Sequence, residues 1–490
     1  MLLTIDQGTT STRTLAVGHD GRIRATAQRA LPQSFPSPGW VEHDPEEIWS
    51  AVVATIRQAL NESDAKPDAV AAIGVTNQRE TTVIWDRKTG AAIHPAIVWQ
   101  DRRTADICAQ LRADGHSERV RRATGLEIDP YFSATKIAWI LDRVPGARAR
   151  AEKGELAFGT IDSFLIWRLT GGLHRTDATN ASRTNLFDLS TRAWSPDLAA
   201  LFRAPLPLLP EIVDCAGVIG HTNPEIFGAA VPIAASIGDQ QSAAVGQACL
   251  SAGAAKCTYG TGAFMLSNTG REIPVSTHRL LATLALQAGD HVSYALEGSI
   301  FVAGAALQWL RDGLGLFRQN AEIDGLARQA NPDGAAQMVP AFVGLGAPWW
   351  DAEARGALFG LTRDTGVPDL VRASLDAACH QTADLMQAMA ADGAPISVLR
   401  VDGGMTASDW FVQRLADLIG VPVERPTETE TTALGAAWLA GSAVGRLPPL
   451  GELHQLWKLD RRFEPSMSED RRATHRAAWL KAIERVKSGG

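Results

Sequence analysis

One local pattern, used twice, constrains this chain more than any other feature. Residues 2–17, LLTIDQGTTSTRTLAV, run as an apolar segment that stops at Asp6, turns through Gly8 and a cluster of hydroxyl residues, and returns apolar. Residues 254–270, AAKCTYGTGAFMLSNTG, repeat the plan, with YGTGAF in the place of DQGTTS. Short apolar runs on either side of a glycine turn read as β-hairpins. Two such hairpins, one in each half, predict two related domains facing one cleft. The small-residue stretch GQACLSAGAA at 246–255 is the natural boundary. The expected division is therefore 1–248 and 249–490, a size each half can fold at.

Strand-like and helix-like segments alternate along the rest of the chain. RIRATAQRAL at 22–31 predicts a third strand after the first hairpin. Asp44, followed by Pro45, Glu46 and Glu47, predicts a helix start: a capping carboxylate, a fixed φ at the first position, and acidic residues beside the positive end of the helix dipole. AVAAIGVTNQRETTVIWD at 69–86 reads as a buried strand, a polar turn and a second strand. This mixture gives the α/β class. The charged stretch 467–490 is expected to be a peripheral or frayed helix.

Composition narrows the function classes. A net charge of −7 argues against general nucleic-acid binding, and Arg119, Arg121 and Arg122 read as a solvated helix face. The five cysteines, Cys108, Cys215, Cys249, Cys257 and Cys379, are widely spaced and form no C-x-x-C. They read as small buried apolar residues of a protein from a reducing compartment. Asp6 interrupts the first apolar run and no basic segment precedes it, so no signal peptide is expected. No apolar stretch approaches the ~18 residues of a membrane span. A soluble cytoplasmic protein is the expectation.

Four constellations carry chemistry. A strand ending at Asp6 and turning at Gly8 leaves the amides of Thr9, Thr10 and Ser11 outside the sheet, which makes an anion nest, and Arg13 adds a charge. A carboxylate beside phosphate would face a metal, and Mg²⁺ is the hard, oxygen-seeking choice. The same residues also suit a ligand-free hairpin turn, and the phosphate-loop pattern G-x-x-x-x-G-K-[ST] occurs nowhere. In SIGDQQSAAVGQ (236–247), Asp239 at a strand–helix junction suits a general base for a hydroxyl nucleophile, and equally a helix cap. In LRVDGGMTASDW (399–410), Gly403 and Gly404 would let backbone approach a ring or a phosphate, or simply end a strand. TNQRETT, IVWQDRRT and DPYFSATK supply Arg79, Glu80, Trp99 and Tyr131. Together these offer donors, acceptors and an aromatic wall for a small polyol; singly they read as a surface ion pair and core aromatics.

In this order, the motifs resemble the FGGY family of carbohydrate kinases. The resemblance runs from about residue 2 to about 465 and includes FPSPGWVEHDPEEIW, AIGVTNQRETTVIWD, AIVWQDRRTADIC, DPYFSATKIAWILD, TNASRTNLFD, GDQQSAAVGQ, TYGTGAFML, LEGSIFVAGAALQWLRDGL, PAFVGLGAPWWD and ETTALGAAWLAG. It implies the actin-like ATPase fold, two RNase-H-like domains flanking a nucleotide cleft, and ATP with Mg²⁺ as phosphoryl donor. TNQRE with GWVEHDP and DPYFS is similar to the glycerol-phosphorylating branch of that family. By position, Thr9, Thr10, Ser11, Arg13, Thr261, Gly304, Gln308, Gly404 and Ser408 would line the nucleotide site. Asp6 would hold Mg²⁺ through water. Arg79, Glu80, Trp99, Tyr131, Asp239, Gln240 and Phe264 would hold glycerol, with Asp239 as the base.

The departures are as informative. Ser408 stands where many relatives carry asparagine beside the adenine, so that contact is expected to weaken. HTNPEIFGAAVPI (221–233) lacks both the glycine-rich basic loop for fructose bisphosphate and the modified histidine of some bacterial members, with Glu225 near that place. Neither regulation is expected. The resemblance implies a homodimer or homotetramer. Two rival readings are a kinase for another polyol or sugar of the same family and an actin- or chaperone-like ATP-binding protein; Asp6 and Asp239 argue against a catalytically dead sensor.

Overall fold

In the computed structural model, which describes residues 1–488, each of the two hairpins opens its own sheet. The first sheet contains β1 (Leu2–Gln7), β2 (Ser11–Val17), β3 (Ile23–Ala30), β4 (Ala72–Asn77), β5 (Ala216–His221) and β6 (Pro232–Gly238), in the order β5-β6-β4-β1-β2-β3. The second contains β7 (Ala255–Tyr259), β8 (Ala263–Gly270), β9 (Leu281–Ala288), β10 (His291–Ile300), β11 (Leu399–Asp402), β12 (Val423–Pro426) and β13 (Leu459–Phe463), in the order β9-β10-β8-β7-β11-β12-β13. Follow each sheet from the strand that flanks the second arm of its hairpin (β3, or β10) through the hairpin. The neighbours are antiparallel, antiparallel, parallel, parallel and antiparallel in both. The likeness of the two hairpins thus extends to two whole RNase-H-like sheets, the second with one extra edge strand, β9.

Seven helices matter to the site: α1 (Pro45–Glu62), α2 (Asp239–Gly246), α3 (Gly304–Gln308), α4 (Val367–Ala391), α5 (Asp409–Ile419), α6 (Thr431–Ala443) and α7 (Glu469–Val486). Asp44 caps α1 as expected, accepting from the Glu46 amide at 2.8 Å. Side chains alternate across a strand. Leu3 and Ile5 of β1 therefore pack with Ile48, Val52 and Ile56 of α1, while Leu2 faces the other way, into a cluster with Leu434, Ala437 and Trp438 of α6. In the second sheet Cys257, Met265 and Leu296 pack beneath Leu375 and Cys379 of α4 and Phe411 of α5. All five cysteines are buried and free.

The junction between the halves is made by α2 and α6. A Cβ built on Gly435 would lie 1.9 Å from the Ser242 carbonyl oxygen, and one on Gly246 would lie 2.0 Å from that of Thr431. Only glycine permits backbones this close. The Ser242 hydroxyl then donates to the Thr432 carbonyl at 2.6 Å.

One expectation is corrected. The stretch after 467 lies at the surface, but over its described part it is an anchored helix, not a frayed one. Trp479 of α7 is buried, stacks on His380 with ring centroids 5.3 Å apart, and donates to Asp384 at 3.0 Å. A single tryptophan and its neighbour Ile483 pin an otherwise charged helix to α4.

Candidate active site

The site is built where β1, β4 and β6 of the first sheet and β7, β8 and β10 of the second end against each other. On the first hairpin the Gly8 amide donates to the Ser11 carbonyl at 2.9 Å, which closes the turn. Among the described residues, the Thr9 and Thr10 amides donate to no backbone carbonyl, as a nest requires. Ser11 already belongs to β2. The Arg13 guanidinium is paired with Glu430, at the start of α6, so a phosphate would have to share it.

On the second hairpin the Gly260 amide donates to the Gly262 carbonyl at 2.8 Å, and the Ala303 and Ala305 amides donate to Thr261 at 2.9 and 3.0 Å. The turn is thereby seated on the start of α3, which carries Gly304 and Gln308. A Cβ on Gly304 would lie 2.5 Å from the Gly260 carbonyl oxygen. Gly403, at φ +90°, packs as closely on Tyr259, whereas a Cβ on Gly404 would meet nothing within 4 Å. Gly404 therefore presents open backbone. Ser408 is committed elsewhere: it caps α5, accepting from the Phe411 amide at 3.0 Å, and its hydroxyl donates to Asp324.

The polyol-type residues converge. Arg79 and Glu80 are 3% and 1% exposed, which rules out a surface ion pair. Neighbours on a strand point to opposite faces, but Glu80 has φ +58°, the left-handed region, and both side chains enter one charged cluster. Such a backbone costs about 1–3 kcal/mol and is held by its surroundings. Here the Ser133 and Thr82 hydroxyls donate to the Glu80 carbonyl at 2.9 and 3.1 Å. Arg79 Nε lies 3.2 Å from Asp239, and another of its nitrogens is 3.5 Å from the Tyr131 hydroxyl. Trp99 sits edge-on to Tyr131 and Phe264, with centroids 5.5 and 5.9 Å away. Its indole N–H donates to the Thr9 hydroxyl at 2.8 Å, which ties the aromatic wall to the first turn. Asp239 opens α2 after Gly238 and accepts from the Gln240 amide at 2.7 Å, so it resembles a cap locally; its side chain is still 27% exposed in an otherwise buried cluster.

Three charged residues in this cluster were not singled out from the sequence. Glu297 binds Arg79 and accepts from Arg183 at 2.8 Å; Arg183 also donates to Glu80 at 2.7 Å; Lys256 donates to the Gln240 side-chain oxygen at 2.5 Å. All three are fully buried. The available signal was a lone charge in an apolar strand, YALEGSI for Glu297 and AAKCTY for Lys256, since a buried charge requires a partner.

The electrostatics follow from burial. Burial raises the Asp239 carboxyl above its ordinary range, with Arg79 and Lys256 opposing. Burial would also raise Glu297, but Arg183 and Arg79 outweigh it and hold Glu297 down at about 2. Burial pushes Asp6 up to about 7; Arg13 opposes this, while Asp239 and Glu430 add to it. Glu430 is already paired with Arg13, and Asp239 with Arg79, so Asp6 is the carboxylate here that has no ion-pair partner of its own among the described residues. Among the described residues no three metal-ligating side chains form a cage. Mg²⁺ keeps most of its water and takes one or two carboxylates plus phosphate oxygens, a demand that Asp6, with Asp239 nearby, would meet.

Two RNase-H-like halves that face glycine turns across a cleft, with a buried polar pocket ending in one partly exposed aspartate, define an actin-like phosphotransferase. The chain matches the FGGY family of carbohydrate kinases, N-terminal domain over residues 1–246 and C-terminal domain over 255–444. It belongs to that family. It is 60% identical over 487 residues to the glycerol kinase of Xanthobacter autotrophicus, covering 99% of this chain and 98% of that one. It is 55% identical over 488 residues to glycerol kinase 1 of Pseudomonas aeruginosa, covering 99% of each. Among solved structures, that of Plasmodium falciparum glycerol kinase with ADP superposes with a TM-score of 0.91 at 35% identity, covering 99% of this chain and 98% of that one.

Proposed function

We propose that this chain transfers the γ-phosphoryl group of ATP to glycerol, giving sn-glycerol 3-phosphate and ADP. The observation that carries the reading is the buried Arg79–Glu80–Tyr131 pocket beside Asp239. It offers both donors and acceptors, with the rings of Trp99 and Phe264 beside it. The high identity to glycerol kinases along the whole chain supports the same substrate.

Each residue then has a role. Glu80 accepts from glycerol hydroxyls, and Arg79 and the Gln240 amide donate to them. Asp239 accepts the proton of the terminal hydroxyl as its oxygen bonds to the γ-phosphorus and the bond to the ADP oxygen breaks. Its raised affinity for a proton suits a base. Thr9, Thr10, Ser11 and Thr261 fix phosphate oxygens, Arg13 neutralises charge, and Gly304, Gln308 and Gly404 line the nucleotide, with Ser408 behind them. Asp6, with Asp239 nearby, would hold Mg²⁺, which when bound neutralises phosphate charge. Alignment of this kind supplies roughly 7–11 kcal/mol of a barrier, and phosphoryl transfer asks for little else of the protein. Closure of the halves excludes water, the competing nucleophile.

We infer a unit boundary at 248/249, a cytoplasmic homodimer or homotetramer, and no response to fructose bisphosphate, the last because 221–233 lacks a basic glycine-rich loop. The test is ADP release with glycerol, other polyols, ketopentoses and gluconate. Stimulation by glycerol above all others is expected. A faster rate with another polyol or sugar would move the substrate; no stimulation by any would point to a binding protein.

A further inference from the structure

Resting on that reading, a second layer of the pocket comes into view. Arg79, Glu80 and Arg183 belong to the first half, while Glu297 lies on β10 of the second sheet. On β10, Leu296 packs into the core beneath α4, so Glu297, one residue on, points out of the opposite face toward the first half. There it binds two guanidiniums. Arg79 meets both of its oxygens, one contact at 3.2 Å, and Arg183 meets Oε1 at 2.8 Å. Arg183 in turn donates to Glu80 Oε1 at 2.7 Å. Among the described residues, Glu80 Oε2 accepts from no protein group, so it is the oxygen left for a ligand hydroxyl. The cluster is balanced: Arg79, Arg183 and Lys256 against Glu80, Asp239 and Glu297.

We propose that Glu297 is a positioning residue for the polyol pocket. By holding Arg79 and Arg183 from the opposite sheet, it aims Arg79 and Glu80 at the substrate and makes the pocket's shape depend on how the two halves sit together. Glu297 touches no substrate in this arrangement. Its role is to fix the fork of Arg79, whose Nε is taken by Asp239, and to hold Arg183 where it presents Glu80. A pocket assembled this way is complete only when the halves are apposed, so glycerol favours the closed state.

The experiment is steady-state kinetics on full-length Glu297→Gln, Glu297→Asp and Arg183→Lys, with thermal midpoints for each. The KM for glycerol should rise about 10- to 100-fold in Glu297→Gln, as expected for losing a charge-assisted hydrogen bond that orders the site, while the KM for ATP stays within about twofold. Arg183→Lys, which keeps the charge and loses the fork, should show a smaller rise of the same kind. If Glu297→Gln does not fold, because it strands two buried arginines, Glu297→Asp is read by the same criterion. A lowered midpoint with unchanged KM for glycerol, or equal rises in both KM values, would overturn the inference. A wild-type protein that glycerol does not stimulate would overturn the substrate reading, and this inference with it.

Discussion

The polyol pocket and the nucleotide cradle occupy one cleft but are made of different materials. The cradle is backbone: Gly8, Gly262, Gly304 and Gly403 sit where a Cβ would crowd a carbonyl or the φ is left-handed, and the Thr9 and Thr10 amides are left free of backbone carbonyls. The pocket is side chain: two arginines, a lysine and three carboxylates are packed with their charges paired, and only a few atoms remain for a ligand. A cradle of backbone recognises phosphate wherever it occurs. A pocket of paired charges recognises one arrangement of hydroxyls and leaves polar groups unsatisfied for any other, which is how a small site rejects analogues strongly.

The largest effect should come from Asp239, the pocket residue proposed as the base. Asp239→Asn should lower kcat by about 10²–10⁴ with the thermal midpoint nearly unchanged; a near-normal kcat in the ADP-release assay would remove Asp239 from the mechanism. Next, Arg79→Ala should raise the KM for glycerol by about 10- to 100-fold and that for ATP far less. Equal rises would make Arg79 structural and blur the division between the two regions. On the cradle side, Gly304→Ala should do the reverse. The added methyl lies 2.5 Å from the Gly260 carbonyl, so the turn must move, and nucleotide affinity measured by calorimetry should fall several-fold while the glycerol KM holds.

The smallest difference is one of pH. The folded-state pKa of Glu297 is depressed to about 2, so its ionised form contributes stability above the ordinary glutamate range, and that contribution is lost as pH falls through about 4.5 toward 2. Midpoints of wild type and Glu297→Gln should therefore differ most at neutral pH and converge in acid. Gly304→Ala, with no titrating group, should run parallel to wild type throughout. Parallel curves for Glu297→Gln would mean that the carboxylate is not what the arginines stabilise.

The same contrast explains what was legible in the sequence. Glycine turns and a capping aspartate are local signals, so both turns and the start of α1 could be read from a few residues, whereas Asp6 suited a ligand-free turn and Asp239 a helix cap equally well. The convergence of Arg79, Glu80, Trp99 and Tyr131 was legible only as a set, because each alone suits a duller role. Glu297 and Arg183 were not legible. Their partners lie 218 and 103 residues away, and no local pattern says which lone charge in an apolar strand will meet which other. The hold on α7 was missed for a related reason: one buried tryptophan in a charged helix leaves almost no periodicity to detect. Ser408 could be seen as a departure, but not that Phe411 and Asp324 already occupy its hydroxyl.

The placement of α6 has a consequence for synthesis. The first sheet is complete once β6 has been made, yet the helix that covers its second face, through Leu434, Ala437 and Trp438, begins only at Thr431. At about 5–20 residues per second, a ribosome needs some tens of seconds to deliver that cover. During this interval the nascent first half must carry an exposed apolar face built from Leu2, Leu15, Val17 and Ile237. A chain cut between the two hairpins would carry it permanently. The two halves look alike and repeat one topology, but the first cannot finish folding until nearly the whole chain has been made.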